Sequence, residues 1–187
     1  MSDTLYLPFD TETGGITHES CLLSAHFAVC DAQYNVIDEL DLLTKPDDGR
    51  YVVTAEALSI NKINLIEHDK VALTYGQAGG KLREFILRHS NNGKIKLVPM
   101  GKNIGFDVAK ITGTILGKKT WNQYVSYRVY DMTTLVLYLK RTGKLPADAP
   151  DSLEGLAKKF FGLEYEAHTA RGDNMVGIEV FKRLEAL

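Results

Sequence analysis

Acidic side chains recur in three short segments that lie far apart in the sequence. Asp10 and Glu12 lie in FDTETGG, Asp107 lies in GKNIGFDVAKI, and Asp173 follows His168 in HTARGDNM. Hard cations such as Mg²⁺ prefer oxygen ligands and keep several waters, so three or four carboxylates suffice to hold them. Two such ions about 4 Å apart stabilise the attacking and leaving oxygens in phosphoryl transfer. The residue types therefore indicate two-metal phosphoryl transfer, provided that the fold brings the segments together.

In each of the first two segments, the spacing is expected to place the polar side chains on one face of the element that carries them. Asp10 and Glu12 are two apart on an extended segment and so point to the same face, although a solvated strand end has the same pattern. Asn103 and Asp107 are spaced i,i+4 and are expected on one face of a helix. A surface aspartate and an asparagine that caps the helix would explain the second segment equally well.

The third segment combines a histidine with an acid. Asp173 is predicted to begin a helix, and His168 lies in the loop before it. An imidazole in such a position can take a proton from water near neutral pH. The structural alternative is a capping aspartate beside an ordinary loop histidine.

The order of the three segments is more specific than any one of them. FDTET at 9–13, NIGFD at 103–107 and HTARGD at 168–173 together resemble the DEDDh branch of the DnaQ-like exonucleases. ALSINKINL at 57–65 and YDMTTL at 130–135 resemble further segments of that family, so the resemblance covers nearly the whole chain. Two positions depart from the common pattern. Lys102 stands where many relatives have histidine, and Asn174 stands where many have alanine.

The resemblance implies an RNase H-like fold and hydrolytic release of nucleoside 5′-monophosphates from a 3′ end. It implies that two Mg²⁺ or Mn²⁺ ions bind, one held by Asp10, Glu12 and Asp173. Asp10 would also reach the second ion, to which Asp107 would bind through water. His168 is implied as the general base.

Other residues are candidates for contact with the substrate. Leu58 and Asn61 match positions beside the terminal nucleotide in relatives, and Phe106 is expected near the same pocket, although ordinary core packing would explain Leu58 and Phe106 as well. The candidate substrate-binding residues are Thr11, Thr13, Leu58, Asn61, Asn103, Phe106 and Arg171. Asp131 is a tempting fifth acid, but its place before MTTLVLYLK predicts a helix N-cap instead.

The elements that must position these residues alternate in type. Strands are predicted at 4–10, 20–30, 34–43, 94–99 and 125–130, the first three joined by short connections typical of an antiparallel meander. Helices are predicted after Thr54, at 76–89, at 102–116, after Asp131, from Ser152 and from 171 to the end. The order predicts an α/β fold: a mixed five-stranded sheet, an antiparallel meander plus parallel strands, flanked by helices. We expect one domain over 1–187.

Composition narrows the class of protein. Hydrophobic residues make up 44% and charged residues 25%, an ordinary globular balance. No apolar run approaches the roughly 20 residues of a membrane span, and the N-terminus does not resemble a signal peptide. Cys21 and Cys30 are expected to be buried free thiols, which favours a reducing cytoplasm, bacterial or of an infected host cell. Residues 71–187 carry 18 Lys and Arg against 11 Asp and Glu, which suits a polyanionic partner.

Three functions compete at this point. The leading hypothesis is a 3′-5′ exonuclease on single-stranded DNA, which would bind nucleic acid with a free 3′ end. The same five catalytic positions would serve an oligoribonuclease-like or RNase T-like exoribonuclease on short RNA. The third is a catalytically weak module that binds nucleic acid or a polymerase. A homodimer or an association with a polymerase is compatible with the sequence, and a membrane partner is not expected.

Overall fold

The computed structural model describes residues 4–187 and contains a six-stranded mixed sheet in the order β4-β3-β2-β1-β5-β6. The strands are β1 Tyr6–Thr13, β2 Leu22–Cys30, β3 Val36–Lys45, β4 Leu73–Thr74, β5 Val98–Gly101 and β6 Tyr130–Asp131. The β1–β2 and β2–β3 pairs are antiparallel, whereas β4, β5 and β6 pair in parallel with β3, β1 and β5. The predicted meander and the mixed sheet are therefore confirmed.

The strand boundaries differ from those predicted from the sequence. β1 extends to Thr13, which places Glu12 inside the strand rather than after it. The strand predicted at 125–130 is reduced to β6, since Val125 makes only an isolated bridge to Leu97. The sixth strand, β4, was not predicted because two residues are too short to show a period-2 pattern.

Seven α-helices and one π-helical segment surround the sheet in the described part of the chain. They are α1 Ala55–Asn61, α2 Leu65–Val71, α3 Tyr75–His89, α4 Ile104–Thr114, α5 Lys118–Tyr124, α6 Met132–Arg141, the π-helical segment Gly155–Phe160 and α7 Ala170–Glu185. The predicted caps are confirmed: Thr54 accepts from the Ala57 N–H, and Asp131 accepts from the Thr133 N–H. α2 and α5 were not predicted. None of the helices between residues 4 and 187 is both long and apolar enough to cross a membrane.

Alternation along β1 separates two apolar clusters on the two faces of the sheet. Leu7 and Phe9 pack into one cluster, which includes buried residues of α3 and α4. Tyr6 packs against the other, which is built largely from α6, α7 and the π-helical segment. Successive side chains of a strand point to opposite faces, so Asp10 and Glu12 share the face covered by α7, and Thr11 points towards α4. Cys21 and Cys30 are buried and free, as predicted.

Candidate active site

Asp10, Glu12 and Asp173 form a compact acidic cluster. Each offers a carboxylate oxygen within 4.8 Å of the others, and all three side chains are partly buried. The first two come from neighbouring positions on the α7 face of β1, and the third comes from the first turn of α7. The alternation of the strand and the packing of that helix thus bring together acids separated by more than 160 positions in the sequence.

Asp173 is held by the segment that leads into α7. Thr169 caps the helix by accepting from the Gly172 N–H at 3.1 Å, and Asp173 Oδ2 accepts from the His168 N–H at 2.9 Å. Tyr165 lies close enough to lower the pKa of the Asp173 carboxyl, against the effect of burial. The preceding loop therefore orients this carboxylate through the His168 N–H.

Asp107 lies beside the cluster and is nearly enclosed, with 5% exposure. It belongs to α4 on the opposite face of β1, where the Thr11 hydroxyl donates to Asp107 Oδ1 at 2.5 Å. The predicted pairing with Asn103 on one helix face is wrong. Asn103 precedes the helix with a left-handed φ of 53° and an exposed side chain, because the chain turns there before α4 begins. Its backbone N–H instead donates to Asp131 at 3.2 Å.

Burial raises the pKa values of all four acids, and repulsion within the cluster adds to the shift for Asp10 and Glu12. Burial raises the pKa of Glu12 to about 7, with further contributions from Asp173 and Asp107. Burial raises the pKa of Asp107 to about 7 although the hydrogen bond from Thr11 opposes the shift. The pKa of Asp10 is raised well above its ordinary range by burial and then by its three acidic neighbours, and burial also raises that of Asp173. A divalent cation would relieve this repulsion, and the donors are the hard oxygens that Mg²⁺ and Mn²⁺ prefer.

His168 lies at the edge of the cluster. Its backbone is left-handed, with φ 64°, and its side chain is exposed. It lines a groove together with Glu12, Asn61 and Arg171. Positive φ is uncommon outside glycine and is several-fold enriched in Asn, Asp and His, so the conformation is strained and held by the local contacts.

A second groove adjoins Glu12 on the side of α1. Thr11, Thr13 and Asn61, all predicted to contact substrate, line it together with Ile16 and Ile60. Gly14 packs closely against Val52 here. A side chain at position 14 would not fit, because its Cβ would lie 2.5 Å from the Val52 carbonyl oxygen. The Asn61 amide donates to the Thr13 carbonyl at 3.2 Å, which ties α1 to the end of β1.

The other predicted substrate contacts are more dispersed. Phe106 lines a neighbouring cleft with Ile16 and Lys110, and Leu58 is partly buried in α1. Arg171 is paired with acids of β3: its NH2 group lies 2.8 Å from Glu39 Oε2 and its Nε 3.8 Å from Asp41 Oδ2. Contact of these residues with a phosphate or a base stays a prediction.

No role was predicted for several residues that the structure places around the cluster. They are His26, Glu39, Lys110, Tyr165 and Asn174, the last noted only as a departure from the common pattern. Lys110 is the exception that a spacing rule would have found, because it follows Asp107 by one helical turn. The partners of the others lie up to 166 positions away, so no local pattern indicates them.

The fold is similar to that of exonuclease I. A structure described as suggesting how exonuclease I achieves processivity matches with a TM-score of 0.78 and 18% identity, over 98% of this chain and 41% of that chain. E. coli exonuclease I in complex with a dT13 oligonucleotide matches with 0.77 and 19%, over 97% and 41%. The zinc-bound form of the E. coli exonuclease I–ssDNA complex also gives 0.77 and 19%, over 98% and 41%.

These likenesses confirm the predicted mixed α/β, RNase H-like fold. This chain spans about two-fifths of the length of the exonuclease I chains that it matches. No protein-family model matches the sequence, and no curated protein matches it either.

Proposed function

We propose that this chain is a metal-dependent 3′-5′ exonuclease that releases nucleoside 5′-monophosphates from single-stranded DNA, with residues 1–187 as one catalytic domain. The convergence of Asp10, Glu12 and Asp173 is the observation that carries the proposal. It occurs in a fold similar to that of exonuclease I, whose solved structures include complexes with dT13 and with zinc and ssDNA. Association with a second copy or with a polymerase stays a prediction.

The acidic cluster would hold two divalent cations, Mg²⁺ or Mn²⁺. Asp10, Glu12 and Asp173 supply ligands within reach of one ion, and the buried Asp107 supplies negative charge beside them. Bound cations would stabilise negative charge on the phosphate oxygens and lower the pKa of water. The raised pKa values of the carboxyls fit this role, because the repulsion between them is relieved only by protons or by a cation.

His168 would accept the proton of the attacking water. Its exposed ring borders the groove shared with Glu12, while its backbone N–H is fixed to Asp173. The backbone is thus anchored at the cluster and the imidazole remains free to reach a water molecule, as general-base catalysis requires.

The groove beside α1 would receive the terminal nucleotide. Ile16 and Ile60 offer apolar surface for a base, and Thr11, Thr13 and Asn61 bring polar groups close to Glu12. Stacking on apolar side chains is tolerant of sequence, so we expect the enzyme to digest all four bases. Arg171, at the edge of the groove lined by His168, would contact a phosphate if it leaves Glu39.

The test is digestion of matched DNA and RNA oligonucleotides, labelled at the 5′ end, with Mg²⁺ or Mn²⁺. The expected result is stepwise shortening from the 3′ end with mononucleotide products, faster on single-stranded DNA than on RNA of the same sequence. Asp10→Asn is the control and should be inactive. Internal cleavage, or equal turnover by this variant, would contradict the proposal, and faster digestion of RNA would replace its substrate.

A further inference from the structure

A buried polar chain lies behind the acidic cluster and begins at His26. This residue sits in the middle of β2, opposite Asp10 on β1 and opposite Asp41 on β3. Its side chain is fully buried, with 0% exposure. A buried imidazole is costly unless both ring nitrogens find hydrogen-bond partners, so its neighbours must supply them.

Asn174 supplies the first partner. Its side-chain amide nitrogen lies 2.8 Å from His26 Nδ1, 3.0 Å from the Pro8 carbonyl oxygen and 3.2 Å from the His26 carbonyl oxygen. An amide NH₂ group can only donate, so Nδ1 is the acceptor and the ring proton resides on Nε2. His26 Nε2 then donates to Glu39 Oε2 at 3.1 Å.

The chain continues to the surface through an ion pair. Glu39 Oε2 also accepts from the guanidinium of Arg171, which lies two positions before Asp173. The contacts therefore leave α7 at Asn174, pass through β2 and β3, and return to α7 at Arg171. Together they hold the first turn of the helix at two points.

The contact between Asn174 and Pro8 lies next to two of the proposed metal-binding acids, Asp173 and Asp10. Asn174 follows Asp173 directly, and Pro8 lies two positions before Asp10 on the same face of β1. We propose that Asn174, acting with His26, is a positioning residue that sets α7 against β1 and so fixes the spacing between Asp173 and Asp10. This inference rests on the proposed metal-dependent function. It gives a role to a residue that departs from the alanine common at this position in the family that the sequence resembles.

The simpler alternative is that Asn174 only satisfies a buried histidine. The two readings separate when both polar partners are removed, because an orphaned buried group destabilises a protein, whereas replacing both partners by apolar groups is nearly neutral. Under the alternative, the double variant Asn174→Ala with His26→Leu regains all properties. Under the proposal it regains the part of the stability that the orphaned imidazole had cost, but not the metal affinity, since the tie from α7 to Pro8 remains cut.

The experiment uses the full chain and Mn²⁺ as the probe, with affinity from isothermal titration calorimetry and stability from thermal unfolding without added metal. We expect Asn174→Ala to lower both, the affinity by about tenfold, as is typical when a residue that supports a ligand is removed. The double variant should recover part of the lost unfolding temperature and keep the weakened affinity. Val176→Ala, a buried change on the same helix outside the polar chain, is the control for packing and should bind Mn²⁺ normally.

Unaltered affinity in Asn174→Ala, or recovery of affinity together with stability in the double variant, would overturn the inference. If the single variant does not fold, the double variant alone decides. A wild-type chain that binds Mn²⁺ but releases no nucleotides would refute the proposed function. The positioning role of Asn174 could still be tested, because that test measures only Mn²⁺ affinity and stability. A wild-type chain without Mn²⁺ affinity would refute both.

Discussion

The candidate site has two halves that are held in different ways. Asp10 and Glu12 lie within β1, the strand half of the site. Backbone pairing with β2 places Asp10 opposite His26 and Glu12 opposite Ser24. His168 lies in an exposed loop with a left-handed backbone and is tied to the cluster through one N–H. Metal ligands must keep fixed distances from each other, whereas a proton acceptor must reach a water that moves. Under the proposed function, the rigid strand would supply the charge that holds the cations, and the loop would supply the proton acceptor.

The largest expected effect is in the strand half. Asp10→Asn removes the carboxylate at the centre of the cluster, and loss of several kcal/mol of charge stabilisation corresponds to a fall in kcat of about 10³-fold. The metal-free variant should unfold at a higher temperature than wild type, because a buried charge is removed from beside three other acids. Single-turnover digestion and thermal unfolding measure the two quantities. Retention of most of the activity would show that this half does not hold the catalytic charge.

The loop half should respond differently. His168→Asn keeps a residue that tolerates positive φ and keeps the backbone N–H to Asp173, but it removes the imidazole. We expect a fall in kcat of about 10²-fold, at the lower end of the range for a general base, with unchanged Mn²⁺ affinity. Calorimetry beside single-turnover kinetics would check this. A parallel loss of metal affinity would erase the distinction between the halves.

The same contrast explains what the sequence could predict. Spacing alone predicted that Asp10 and Glu12 share a face, since alternation is a local property of strands. It could not predict that Asp107 is buried against Thr11, because that contact joins residues 96 positions apart through tertiary packing. Whether these residues bind metal and substrate as predicted stays to be tested.

The fold shows a similar limit. The meander was predictable from long apolar strands such as β2, and the helix caps at Thr54 and Asp131 from local chemistry. α5 was missed because Trp121 is its single buried residue, so the segment shows no apolar stripe. His26 was hidden inside an apolar run, and its partner Asn174 could be recognised only once the chain was folded.

The pH dependence of stability reports on two of the buried acids, Glu12 and Asp107. Folding raises the pKa of Glu12 and of Asp107 to about 7, so the folded, metal-free protein binds protons that the unfolded chain releases above about pH 4. Their contribution to stability is therefore fully present below about pH 4 and is lost as pH rises to about 7. Mn²⁺ should reverse the trend, because it binds the deprotonated carboxylates and stabilises more at pH 8 than at pH 5.

Thermal unfolding of wild type and Glu12→Gln between pH 5 and pH 8 measures this contribution, at about 2–4 °C for each kcal/mol. The buried His26, whose pKa is lowered chiefly by burial, contributes with the opposite sign in the same range. It is present in both proteins, so it cancels in their difference. Relative to Glu12→Gln, wild type should have its lowest unfolding temperature at pH 8. A difference that does not vary with pH would show that Glu12 is ionised throughout.

The smallest effect is expected where the strand half continues into a loop. The buried Lys110 donates to the backbone carbonyls of Thr17, His18 and Ser20, at 3.0, 3.3 and 2.8 Å, and so fixes the segment that carries the exposed Ile16. Lys110→Met keeps most of the side-chain volume but removes all three bonds. Ile16 lines the groove beside Glu12 and also the neighbouring cleft that contains Phe106, so a mobile segment should weaken substrate binding and leave the acidic cluster in place.

We therefore expect the KM for single-stranded DNA to rise about fivefold in Lys110→Met, which corresponds to about 1 kcal/mol, with kcat unchanged. Lys119→Met removes an exposed lysine of α5 and is the matched control for the loss of one positive charge. Steady-state kinetics on one oligonucleotide compares the three proteins. If kcat falls instead of KM rising, the segment that follows β1 belongs to the rigid half, and the boundary between fixed and mobile parts of the site lies beyond Ile16.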